Sequence, residues 1–335
     1  MAKILRAIVL LSIGSLILPA CGDPYKAAAV DTLFFKTARG VAVLDAGAAA
    51  PSFSGGNAVP SSDWSTVVRS VVRRKTTRIT ALDPHSGFTR WKREVAGSLR
   101  VKIVSPDGSL VAMGPTGEAF YRDGRRRTVM MIDGSRLARP NGIVLAGNYE
   151  PEAFSTDGKS LFVIRYLPAR DPNRYQVRRL DLTTEQVEDV YTPDAHLQEA
   201  MGGTARIQAA SSDGKRLYTL YTLENEDGGS HAFIHVLSLD ELWAHCIDLP
   251  SEFASMPEKA TAITVSPDNQ RVFVANSAAD LVAEIDAESL EVTRTAAVTL
   301  GSSRRSHAVH DGNSTLFLAG AQEVLALDTS AGFQT

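Results

Sequence analysis

The chain has 335 residues, 44% of them apolar and 22% charged, with 35 basic side chains against 38 acidic ones. That composition belongs to a folded chain able to bury a large core and excludes a disordered one. A formal charge of −3 gives no global pull towards nucleic acid.

The N-terminus is distinct from the rest. Lys3 and Arg6 open it, Ala7 to Leu18 is an apolar run, and Leu18-Pro19-Ala20-Cys21 follows at once. The order is that of a secretory signal, too short and wrongly flanked for a membrane-spanning helix. The last four residues resemble the lipobox of bacterial lipoproteins, in which a small residue precedes a cysteine that is acylated and becomes the first of the mature chain. The resemblance implies a signal peptide over 1–20, lipid on Cys21 with a tether to residue 25, and a folded domain over 26–335; plain cleavage near Ala20 is the alternative. More than one acyl chain makes such anchoring stable. The mature chain then holds 33 basic and 38 acidic side chains, a balance of −5, and sits on the extracytoplasmic side of a bacterial membrane, periplasmic or at the cell surface. Lipid on Cys21 leaves Cys246 without a disulfide partner; Trp243-Ala244-His245-Cys246-Ile247 reads as a strand with a buried, inert thiol.

From residue 31 onward two aspartate series interleave. Asp31, Asp63, Asp107, Asp157, Asp213, Asp268 and Asp311 mark an early turn, and Asp45, Asp83, Asp123, Asp181, Asp240, Asp286 and Asp328 close a short apolar run. One member of each falls between every two of the other, which makes seven copies of one hairpin-rich unit. Ser105-Pro106-Asp107-Gly108, Ser155-Thr156-Asp157-Gly158 and Ser211-Ser212-Asp213-Gly214 repeat the first turn and lead into apolar strands such as Ser160 to Ile164 and Arg216 to Leu220. An aliphatic residue precedes the later aspartate except at Arg122. The sixth unit is the clearest: strands over Ala262 to Val265, Arg271 to Ala275, Leu281 to Ile285 and Val292 to Val298, with Ser266-Pro267-Asp268-Asn269 as the first turn. Four antiparallel strands in about 43 residues make one propeller blade. The expected fold is all-β, a seven-bladed β-propeller of four-stranded blades; six blades remain the alternative, because Asp31 lacks the Ser-Pro lead and the chain ends soon after Asp328.

Ser266 to Val298 resembles the bacterial YVTN-type and lactonase-like propeller families, within the WD40-like group. Val272-Phe273-Val274-Ala275-Asn276 stands where that family has its strand of aromatic, valine and asparagine. The resemblance implies shape far more than activity.

In such a fold, loops between second and third strands share a rim with the connections between blades. The long ones are Tyr166 to Tyr175 and Thr222 to His231, with connections over Asp133 to Glu150, Thr192 to Ala205 and Pro250 to Lys259. Long loops on a rigid scaffold are where function is placed. Arg165, Arg170, Asp171 and Arg174 lie in one loop region, and Glu224, Glu226 and Asp227 in the next, either as a ligand-facing set of opposite charges or as weak surface ion pairs. His196 and Glu199 on the following connection offer a base and an orienting acid by nearness alone. Asn276 and His307 complete the candidate contacts at this rim.

No metal or cofactor is expected. His231 and His235 are four apart on a strand, roughly 13 Å, too far to share an ion, and His307 and His310 point to opposite faces. Neither pair has a carboxylate or cysteine at ligand spacing. The runs Arg73-Arg74-Lys75 and Arg125-Arg126-Arg127 fall at hairpin loops on opposite rims and lack interleaved aromatics, so they protect edges rather than bind nucleic acid. No phosphate loop, nucleophile elbow or zinc signature occurs. The expectation is a monomeric, membrane-anchored, non-catalytic binding or scaffold module that takes a protein or small ligand at the long-loop rim. The alternative is a lactonase-like or other hydrolase with its site at the channel mouth.

Overall fold

A computed structural model describes residues 32–37, 40–45, 53–115, 127–169, 173–193, 200–224, 229–254, 260–300, 307–319 and 324–334. They form seven antiparallel sheets, taken up one after another along the chain. Sheet 1 is β1 (Thr32–Thr37), β2 (Gly40–Asp45) and β3 (Phe53–Gly56); sheet 2 is β4 (Ala58–Pro60), β5 (Val67–Arg73), β6 (Thr76–Leu82) and β7 (Thr89–Ala96). Sheet 3 is β8 (Leu99–Val104), β9 (Leu110–Pro115), β10 (Arg127–Gly134) and β11 (Asn141–Ala146); sheet 4 is β12 (Asn148–Phe154), β13 (Ser160–Leu167), β14 (Arg174–Asp181) and β15 (Val187–Asp189). Sheet 5 is β16 (Thr204–Ala210), β17 (Arg216–Glu224), β18 (Ser230–Ser238) and β19 (Ala244–Asp248); sheet 6 is β20 (Thr261–Val265), β21 (Arg271–Asn276), β22 (Leu281–Asp286) and β23 (Glu291–Ala297). Sheet 7 is β24 (His307–His310), β25 (Thr315–Ala319) and β26 (Val324–Asp328). Sheets 1 and 7 thus have three strands among the described residues, where four were expected.

Local chemistry forces the first turn of each unit. In sheets 2 to 6 a buried or half-buried serine hydroxyl donates to the aspartate two residues on, at 2.5 to 2.7 Å: Ser61 to Asp63, Ser105 to Asp107, Ser155 to Asp157, Ser211 to Asp213 and Ser266 to Asp268. The aspartate accepts the backbone N–H two residues further, as Lys159 does for Asp157 and Gln270 for Asp268. The serine oxygen accepts the first N–H of the next strand, from Ser160 and Arg271 for instance. This is the side-chain mimicry of a backbone turn that favours these residues between strands. Asp83, Asp181, Asp286 and Asp328 do the same at the turn after the third strand, each taking two backbone N–H groups. Those bonds hold their carboxyls below the usual aspartate range.

The third unit departs from this pattern. Its third strand is β10, and the position facing the first residue of β9 is Gly134, in register with Leu110. Asp123 lies outside the described residues, so the expected register for this unit is corrected by about ten positions. Gly134 has φ +152, and a Cβ there would stand 2.0 Å from the Ser109 carbonyl oxygen, so glycine takes the aspartate's place. Beside it Asp133 is fully buried, and burial raises its pKa against the pull of the Gly134 N–H and the Arg93 charge. Two further expectations change with it. The segment from Asp133 to Glu150 is no loop, since it contains β11 and the start of β12. Arg74 and Lys75 join β5 to β6, the second-to-third-strand connection; Arg125 and Arg126 lie outside the described residues, and Arg127 opens β10, a third strand, so the described part of the second run does not lie on the opposite rim.

Alternation along the strands buries one face of each sheet against the sheet before and the other against the sheet after. Val68, Ile79 and Ala81 meet Val111 and Met113 between sheets 2 and 3; Met130 and Ile132 meet Phe154 and Leu161 between sheets 3 and 4. Leu220 and Ile234 meet Val272 and Val274 between sheets 5 and 6, and Phe273 meets Leu316 and Leu318 between sheets 6 and 7. Each such side chain contributes about 1.5–3 kcal/mol by leaving water. The first strands of successive sheets adjoin, β4 to β8, β8 to β12, β16 to β20 and β20 to β24, which places them innermost. Their turns converge at one end of the axis: a Cβ on Gly214 of sheet 5 would stand 2.7 Å from Pro106 Cβ of sheet 3 and 3.0 Å from Ser62 Oγ of sheet 2. The turns of sheets 2, 3 and 5 therefore meet at that end.

Candidate functional site

Three of the innermost strands carry a β-bulge, and each bulge falls on a charged residue. The register slips between Val101 and Ile103 in β8, between Pro151 and Ala153 in β12, and between Ala205 and Ile207 in β16, leaving Lys102, Glu152 and Arg206 outside the ladder. The pairings of β4, β20 and β24 run without such a slip. A bulge re-aims a side chain and recurs next to functional sites. These three strands belong to sheets 3, 4 and 5, side by side.

The side chains form three polar groups along these strands. Lys102 Nζ lies 3.3 Å from Glu150 Oε1, joining β8 to β12, and the Tyr166 hydroxyl donates to Glu150 Oε2 at 3.0 Å. Gln208 of β16 donates to Glu152 Oε1 at 2.7 Å and to Thr219 Oγ1 at 3.1 Å. Arg206 Nε donates to Thr222 Oγ1 at 2.7 Å. Glu152 keeps a partial opening to solvent but is surrounded by protein; that desolvation, followed by the charge of Glu150, pushes its carboxyl up to about 7, against the pull of Gln208 and Thr219. Burial first, then Glu150, also drives the Tyr166 phenol far upward, so it stays a hydrogen-bond donor.

Behind the wall, sheets 4 and 5 enclose an aromatic stack. Tyr175 and Tyr221 lie with ring centroids 4.9 Å apart and Tyr221 and Phe233 5.4 Å apart, while His231 stacks on Phe233 at 5.8 Å. Gln208, Thr219, His235 and Cys246 are directly opposed across the four strands of sheet 5, so they form one row from the channel into the interior. His235 is buried and stands edge-on to Tyr221; burial, then His245, lowers its pKa to about 4, so it is neutral at pH 7. This apolar and aromatic backing fixes the rotamers of the wall and lowers the local dielectric.

The sequence-derived contacts fare unevenly. Arg165 lies in β13 rather than a loop, in register with Tyr149 and Gln176, on the face opposite Tyr166. Its charge and, more strongly, burial lower the pKa of nearby Arg178, which pairs with Asp189. Arg174 opens β14 and is exposed. Asn276 is buried at the end of β21, where its Oδ1 accepts the Ala278 N–H at 3.1 Å, closing its own hairpin. His307 opens β24 with an exposed side chain, and His310 is buried against Phe273 at 5.0 Å. Arg170, Asp171, His196, Glu199, Glu226, Asp227 and Cys21 lie outside the described residues. His231 does have a carboxylate beside it, Asp248 Oδ1 at 3.0 Å, and His235 faces Cys246; no group of three metal-ligating side chains forms among the described residues. Cys246 is half-buried rather than fully buried.

No protein-family model and no curated protein sequence matches the chain. Solved structures do. A structure titled Kuenenia stuttgartiensis hydrazine synthase is 12% identical with a TM-score of 0.56, covering 89% of this chain and 92% of that one. The β-propeller domain of Myceliophteria thermophila Cps50 (Swd1) is 11% identical with a TM-score of 0.51, covering 88% and 92%. At that identity the likeness shows the fold alone: this chain is a β-propeller.

Proposed function

We propose that the protein is an exported, lipid-anchored binding module, held through Cys21 on the extracytoplasmic side of a bacterial membrane, that takes a small polar ligand or partner segment at the channel end away from the turns. The observation that carries the reading is the trio of bulges on adjacent innermost strands, each presenting a charged residue, Lys102, Glu152 and Arg206. The close approach of the Gly214 turn to Pro106 at the other end supports a pocket rather than a through-channel. The Ser266 to Val298 repeat supports kinship with YVTN-type propellers.

One feature favours a second reading, a hydrolase: desolvation, then the Glu150 charge, pushes the Glu152 carboxyl up to about 7, within the working range of a general acid or base. The two readings separate on a panel of lactones and esters. Binding without turnover supports the module, and turnover abolished by Glu152→Gln replaces it with the enzyme. Fractionation tests the anchor: wild type in the membrane pellet and Cys21→Ser in the soluble fraction are expected, and equal partitioning contradicts it.

A further inference from the structure

Glu150 and Glu152 stand two residues apart on β12 and are compensated unequally. Glu150 has the Lys102 ammonium at 3.3 Å and the Tyr166 hydroxyl at 3.0 Å. Glu152 has the neutral amide of Gln208 at 2.7 Å and forms no ion pair among the described residues. The titratable groups around them come from every neighbouring strand: Lys102 on β8, Tyr166 on β13, Tyr175 on β14, Arg206 on β16, Tyr221 on β17, His235 on β18 and Cys246 on β19. Of these, the lysine stands against Glu150, Arg206 is bonded to Thr222, and the tyrosine and histidine side chains are neutral at pH 7; Cys246 faces His235 behind the wall.

We propose that Glu150 and Glu152 work as one proton-exchanging pair in the channel wall, with Glu150 engaged by Lys102 and Tyr166 and Glu152 the member that takes up and releases the proton. Two carboxylates that share a site do not ionise together readily, and the proton resides on the one that lacks a cation. The upward displacement of the Glu152 carboxyl has the same two causes, desolvation and the Glu150 charge. With the proton on, Glu152 offers the channel an O–H donor and the pair carries one negative charge. With the proton off, the pair carries two, and Gln208 is the amide donor bonded to the second. The wall therefore presents a different charge to a ligand below and above the exchange point. This last consequence rests on the proposed binding role; the proton exchange itself does not.

The test is a carbon-13 NMR titration of the glutamate-labelled, detergent-solubilised full chain, with no ligand added. One carboxyl carbon is expected to titrate at about 7, well above the usual glutamate range, to disappear in Glu152→Gln, and to move downward in Glu150→Gln as the like charge is removed. A high-titrating signal that survives Glu152→Gln, or that ignores Glu150→Gln, overturns the pair, as does a wild-type titration with every glutamate in the ordinary range. None of these outcomes depends on a ligand, so the inference can fail while the binding role stands, and the reverse.

Discussion

Gln208 and Glu152 meet at 2.7 Å across the boundary between sheets 4 and 5, an uncharged donor holding a carboxylate on the wall of the channel. The contact exists because the bulge in β12 takes Glu152 out of the ladder and turns it towards the next innermost strand. It joins two sheets that also meet through aromatic and aliphatic side chains.

Glutamine at position 152 should raise stability at pH 8 and lose that advantage towards pH 5. The folded pKa of Glu152 lies above its unfolded value, so the folded state binds this proton more tightly; the stabilisation is complete below about 4.5 and is lost as pH rises through about 7. His235 acts with the opposite sign, since its depressed pKa withdraws stability as pH falls from 6.5 towards about 4. The variant-minus-wild-type difference, from urea midpoints across this range, isolates the glutamate. A difference independent of pH contradicts the assignment.

The meeting of the turns makes its own demand. Gly214→Ala meets Pro106 and Ser62 at φ +69, whereas Gly87→Ala, at φ +70, meets nothing within 4 Å. The left-handed backbone alone costs about 1–2 kcal/mol. Alanine at 214 should therefore destabilise by about 1–3 kcal/mol more than alanine at 87, because overpacking adds to the backbone term. Equal losses in denaturant titrations would show that the turns do not meet across the axis.

The Ser155 hydroxyl donates to Asp157 at 2.7 Å and accepts the Ser160 N–H at 2.9 Å. Ser155→Ala leaves the buried Ser160 N–H without its partner and should cost about 1–3 kcal/mol. Thermal or urea unfolding reads this directly; a loss below about 0.5 kcal/mol would mean that the turn is set by the backbone alone.

Repetition was legible because each turn is made by neighbours in sequence. Ser266, Asp268 and Asp286 bond to groups within five residues, so the sixth unit's strands are found within about a residue of Thr261–Val265, Arg271–Asn276 and Leu281–Asp286. The third unit misled because the residue facing the start of its second strand is Gly134, and a glycine leaves no carboxylate to count. The wall was not legible for a different reason. A bulge is a property of two strands in register, and nothing in Pro151-Glu152-Ala153 alone marks it. The polar, period-two placement of Glu150 and Glu152 was the available signal, hidden by reading Asp133 to Glu150 as a connection.

If the bulged innermost strands build the binding wall, native mass spectrometry of protein purified from membranes will reveal what they hold. Wild type should carry a non-covalent small-molecule adduct that the folded triple variant Lys102→Ala, Glu152→Gln, Arg206→Ala lacks. An adduct retained equally by both proteins, or found on neither, would contradict the account.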